Sequence, residues 1–167
     1  MEDLVKHKKQ SVMLIITITL AGLVAGLLYG YACSVNPGLR KLGDKEYLSA
    51  MQSINVAIQN PIFFISFMGS IVAFAITTYQ LRGQQAFYYV LIAMIIYIVG
   101  VFGVTMFVNV PLNNRLANFN ISAASQNDLT NMRTIFERPW NTFHAIRTIA
   151  SVASFVVSII ALIKINK

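Results

Sequence analysis

The sequence predicts an all-α integral membrane protein, a four-helix bundle with a helical segment in each of two loops on the same side. Three observations lead there. Hydrophobic residues make up 56% of the 167 positions, and charged residues only 11%. Four uninterrupted apolar runs each reach the roughly 20 residues that a helix needs to cross a bilayer core. The charges avoid those runs and collect between them, whereas a soluble domain needs a charged surface. Residues 1–167 are short enough to form a single domain.

The first run extends from about Ser11 to Cys33 behind Lys6, Lys8 and Lys9. Its apolar length exceeds a secretory signal core of about 7–15 residues, and Gly30-Tyr31-Ala32 is a poor cleavage site, so it reads as a true membrane helix. The second run, about 61–81, starts at Pro61, where a missing N–H costs nothing. Arg82-Gly83-Gln84-Gln85 is a tight turn, which makes the second run and the third, about 86–110, an antiparallel hairpin. The fourth covers about Phe143 to Ile163. The runs are continuous rather than alternating, so in lipid they are helices and not barrel strands.

Four crossings put both termini beside the short turn and the two longer connections, 34–60 and 111–142, on the other face. The leading lysines favour cytoplasmic termini in the cell membrane. In the first connection Asn36-Pro37-Gly38 reads as a turn, and Asp44 can cap a helix to about Gln59. That helix carries Leu48, Met51, Ile54 and Ile58 on one side and the uncharged stripe Gln52, Asn55, Gln59 on another. In the second, Asn127 or Asp128 can cap a helix that Pro139 interrupts or restarts.

The net charge of +7 raises nucleic acid as a partner, but no continuous basic stripe or recognition motif supports it. The basic residues instead flank apolar runs, as expected of residues meeting lipid headgroups. Cys33 is the only cysteine, so no internal disulfide can form, and two histidines cannot build a multi-histidine metal site. No phosphate loop or serine nucleophile motif is present. All six acidic residues lie in the tail or the connections, which argues against a carboxylate proton relay across the bilayer.

Three groups of residues stand out. Gly22, Gly26 and Gly30 recur every four positions, and the ordinary reading is close packing inside the bundle rather than a homo-oligomer interface. Asn109 and Asn113 flank Pro111 one helical turn apart. They read either as polar caps of a helix end or as amides held at membrane depth for a partner. Trp140, His144 and Arg147 fall at i, i+4 and i+7, so an aromatic plane, a titratable base and a permanent cation share one stripe at the mouth of the bundle. The bland alternative is an interfacial tryptophan and a snorkelling arginine. Asn55 and Asn60, in the connection on the same face, are expected to line the same pocket.

Several blocks in order resemble the anthrone oxygenase-like family of small four-helix membrane proteins. They are Met51-Gln52-Ser53-Ile54-Asn55 with Asn60-Pro61, Gly100-Val101-Phe102-Gly103-Val104-Thr105, Asn109-Val110-Pro111-Leu112-Asn113, and Trp140-Asn141-Thr142-Phe143-His144-Ala145-Ile146-Arg147. The resemblance implies oxidation of a hydrophobic aromatic, anthrone- or quinone-like substrate by dioxygen, with no evident organic cofactor. In that chemistry His144 would be the base and Arg147 would hold the oxyanion. Asn109 and Asn113 would donate hydrogen bonds, and Trp140 would stack on the rings. The alternatives are a non-enzymatic binder of a lipid or small molecule, a subunit of a membrane complex, or a protein with His144 as the single ligand of a metal or haem.

Overall fold

The computed structural model describes residues 2–165, which are mostly helical and contain no strand. Helix α1 is regular over Glu2–Gly30 and continues through a wide π-helical turn, Tyr31–Val35, into Asn36–Leu39. Helix α2 is Asp44–Ala57, α3 is Pro61–Gln80, α4 runs over Ala86–Ala117, and α5 is Gln126–Lys164. Helices α1, α3, α4 and α5 are each long and apolar enough to cross a membrane, so the chain is a membrane protein with four spanning helices.

The helix ends differ from the sequence reading. Asn36-Pro37-Gly38 is no turn, and α4 does not stop at Pro111. In both places the residue before the proline donates its N–H five residues back, Asn36 to the Tyr31 carbonyl and Val110 to the Thr105 carbonyl. A proline ring clashes with the carbonyl one turn earlier and brings no N–H of its own. A widened turn relieves both problems without breaking the helix. Helix α4 also carries a second π segment, Tyr97–Gly103. Pro139 likewise lies inside α5, which is uninterrupted. The cap of α5 is Ser125, two positions before Asn127 and three before Asp128, the expected caps. Asp128 completes a capping box with it. Asp44 is the first residue of α2 rather than its cap, which is Gly43.

At 39 residues, α5 is about 58 Å long at 1.5 Å per residue, nearly twice the bilayer core. Its first turns therefore project beyond the other spans and carry α2. There Tyr47, Leu48 and Met51 of α2 pack with Leu39, Leu116, Leu129, Phe136 and Trp140 into a core separate from that of the bundle. Arg133 of α5 fastens this cap. It donates to Glu137, to Asp44 and to the carbonyls of Leu42 and Arg40, with its guanidinium over the Tyr47 ring. The Thr130 hydroxyl, and then Arg133, hold the Asp44 carboxyl below the usual carboxylate range against the opposing effect of desolvation. Its stabilising contribution is present above the unfolded-state pKa and fades as pH falls through the lower folded value.

Inside the bundle, the opposite end is closed by the α3–α4 turn, where Gly83 has a positive φ of 84°. Gln10 of α1 donates to the Gln80 carbonyl and accepts from Gln84. Leu14, Leu81 and Ile165 share one core cluster, so the start of α1, this turn and the end of α5 meet at one end. The glycine stripe does not all pack inside. A Cβ at Gly22 would come 2.8 Å from the Phe155 ring, while Gly26 and Gly30 have nothing within 4 Å. Four residues advance about 400° around a helix, so the stripe turns away from α5 as it climbs. Gly100 makes the tighter contact, because a Cβ there would lie 2.5 Å from the Ala150 Cβ of α5. Gly100→Ala is therefore expected to cost about 1–3 kcal/mol by overpacking, seen as a lower melting temperature in detergent. Gly26→Ala should leave the melt unchanged or raise it.

Candidate functional site

The long helix α5 stays regular past Pro139, so Trp140, His144 and Arg147 do line one stripe. The Trp140 and His144 rings are stacked, 5.0 Å between centroids and 11° between planes. The Arg147 guanidinium sits 5.2 Å from the Trp140 ring. It donates to His144 Nδ1 from Nε at 3.2 Å and lies 3.0 Å away through Nη2, while Nη1 donates to the Thr105 hydroxyl. Guanidinium nitrogens only donate, so Nδ1 is the acceptor and the proton of a neutral His144 belongs on Nε2. Nε2 is buried and has no hydrogen-bond partner.

Helix α4 holds this stripe in place. The Trp140 indole N–H donates to Asn113 Oδ1 at 2.8 Å, and Asn109 Nδ2 donates to the Trp140 carbonyl at 3.2 Å. The wide turn Thr105–Asn109 lets one helix bring Thr105, Asn109 and Asn113 to the same residues of α5. Helix α1 supplies Tyr31 from its own wide turn. The Tyr31 ring meets His144 at 5.1 Å and Trp140 at 5.5 Å, and its hydroxyl rests on Met51 Sδ at 3.2 Å.

These groups open onto a cavity of about 330 Å³ between α1, α2, α3, α4 and α5, at the small end of ligand pockets. Its apolar walls include Leu28, Ile54, Ile58, Phe63, Phe67 and Val110. Asn55, Asn113, Trp140, His144 and Arg147 all line it, together with Tyr31 and Thr105. Asn55 Nδ2 is a second buried nitrogen without a partner. Asn109 and Asn60 do not line it. Asn109 is fully buried behind Trp140. Asn60 is the N-cap of α3, accepting from the Phe63 N–H and donating to the Ala57 carbonyl. An Asn-Pro pair at a helix start is a capping signal, and that local role claims the side chain.

Among the described residues no group of three His, Cys, Asp or Glu side chains is placed to hold a metal ion. Among the described residues His144 brings the one imidazole to the cavity, and its Nε2 would have to lose its proton before it could ligate. Tyr31 and Thr105 were not singled out from sequence. Thr105 ends a block already noted, and Tyr31 follows the glycine stripe, but only the packing of helices brings them to α5. Asn113→Ala would strand a buried indole N–H, a loss of about 1–3 kcal/mol. Thermal melts of Asn113→Ala, Trp140→Phe and the double variant should show a coupling of about 0.5 kcal/mol or more.

The comparisons with known proteins fit this arrangement. No curated protein and no solved structure matches the chain. The family model described as anthrone oxygenase matches residues 55–157, more than half of the chain, from Asn55 of α2 to beyond Arg147 of α5. The match supports an oxygenase-like function at the level of the family. The chain belongs to the anthrone oxygenase family.

Proposed function

We propose that the protein is a membrane-embedded oxygenase that takes a flat, hydrophobic aromatic substrate of anthrone or quinone-like type and uses dioxygen as co-substrate. One observation carries the reading: a stacked Trp140–His144 pair, with Arg147 on the imidazole, faces an apolar cavity lined by phenylalanines. Aromatic walls suit a planar ring system, and the cation supplies charge stabilisation at its oxygen.

Before substrate binds, His144 has no free lone pair, because Arg147 occupies Nδ1. A substrate carbonyl oxygen that draws the Arg147 donors away frees Nδ1 to accept a proton from the acidic ring methylene. The carbanion, delocalised onto the carbonyl oxygen beside Arg147, adds to dioxygen and forms a carbon–oxygen bond. The peroxide takes the proton back from His144. Loss of water, with the remaining methylene hydrogen, leaves the new ketone. In sum, CH₂ and O₂ become C=O and H₂O, so the substrate carbon is oxidised and one oxygen atom is reduced to water. Base generation is thereby tied to substrate binding. With the termini cytoplasmic, the cavity and its cap lie toward the outer face of the membrane.

The same Arg147–His144 contact also favours a second reading, a binder of such rings without chemistry, because the resting site offers no free base. Oxygen uptake by purified protein over a panel of anthrones and phenols separates the two. Stoichiometric uptake supports the oxygenase, and tight binding without uptake supports the binder. If the oxygenase reading is right, His144→Ala and Arg147→Ala should each lower turnover about 10²-fold or more with the fold intact by thermal melt. Unchanged turnover in both variants would remove these residues from the mechanism.

A further inference from the structure

Arg147 has no carboxylate partner. Among the described residues the ion pairs are Arg40–Glu137, Arg133–Asp44 and Arg133–Glu137, all in the cap. Glu137, on the same helix, is ten residues away, about 15 Å along the axis, and is already engaged by Arg133. The guanidinium instead touches an imidazole nitrogen, a hydroxyl and an indole face, none of which carries negative charge. The rest of the cavity is just as short of charge. Helix α2 and the link after it bring Asn55 and Gln59, α4 brings Thr105, Asn113 and Asn114, and α3 brings only apolar side chains, none of which titrate. Tyr31 from α1 and His144 from α5 are the other titratable groups.

A cation held at membrane depth is costly unless something of opposite charge meets it. Two more buried nitrogens of residues that line the cavity, Asn55 Nδ2 and His144 Nε2, have no hydrogen-bond partner, and both can donate. The cavity thus has a permanent charge in its lining and no carboxylate to neutralise it.

Taking this cavity as the ligand site read above, we infer that it binds its ligand as an anion, the phenolate of an acidic hydroxyaromatic, with Arg147 as the counter-ion. The ligand carries into the membrane the negative charge that the protein omits. A neutral ring of equal size and shape is then a poor ligand, and selectivity follows acidity as well as shape.

The test is a titration that needs no turnover. A dihydroxyanthraquinone whose hydroxyls flank one carbonyl reddens when it ionises, and its dimethyl ether is the neutral isostere. Bound to the detergent-purified full chain, the dye is expected to ionise about 1–3 pH units below its value in the same detergent alone. Its apparent affinity should fall as pH drops from the free to the bound ionisation point and be flat outside that window. The ether should bind at least about tenfold more weakly than the ionised dye. Arg147→Lys keeps the charge and should keep most of the displacement. Arg147→Met should return ionisation to the free value or above, in protein that still melts cooperatively. A bound dye that ionises where the free dye does, or an ether that binds as well, would overturn the inference and leave the oxygen-uptake reading standing. Failure of both dyes to bind would overturn the two together.

Discussion

In hydrocarbon a backbone carbonyl without a partner has no water to turn to, and the mouth of this bundle is organised by that constraint. Pro37 and Pro111 each remove an N–H from a spanning helix near the same membrane face. The chain responds in the same way twice, by reaching back five residues from Asn36 to Tyr31 and from Val110 to Thr105. The two widened turns are the places from which Tyr31 and Thr105 reach the cavity. Helix α5 absorbs Pro139 without such a segment and remains a continuous support for Trp140, His144 and Arg147. At Tyr31 and Thr105 the turns that repair the backbone also carry side chains of the polar site.

A second level of support lies outside the membrane. Helix α2 covers the mouth and contributes Asn55, Ile54 and Ile58 to its wall. It is held by Gln52, which donates to the carbonyls of Leu116 and Phe119, and by the Arg133 network. The two divide the work: acids and bases pair in the cap, where water helps to solvate them, and the one arginine inside the spanning bundle is left unpaired by any acid. That separation sets the electrostatics of the cavity more firmly than any single hydrogen bond.

The parts that could be read from sequence are those governed by local rules. Apolar length located the spans, and helical periodicity put Trp140, His144 and Arg147 on one stripe because α5 is continuous there. Asn55 followed from its place on an amphipathic helix on the correct face. Other parts were not legible. Proline was read as a stop at residues 37 and 111, although membrane helices re-pair around it and run on to Leu39 and Ala117. Asn60, expected in the pocket, caps α3 and is not among the residues that line the cavity. Asn109 turned out to brace Trp140 from behind. Tyr31 and Phe67 belong to other helices, and only the packing of the bundle brings them to α5. The boundaries of α5 were missed for a related reason: the charged, partly amphipathic turns before Pro139 are the outer end of the same helix, not a separate one.

The chain has a single tryptophan, and it is Trp140. Its indole lies flat on the His144 ring and beneath the Arg147 guanidinium, at the wall of the cavity. The chain has seven tyrosines, Tyr31 among them against the indole, but selective excitation at the red edge of the absorption band addresses this indole alone. A charged imidazole quenches a stacked indole far more than a neutral one, so the protein's own emission reads the protonation of its candidate base. Occupancy, proton transfer and oxygen entry could thus be followed optically in native membranes, with no label and without knowledge of the natural ligand.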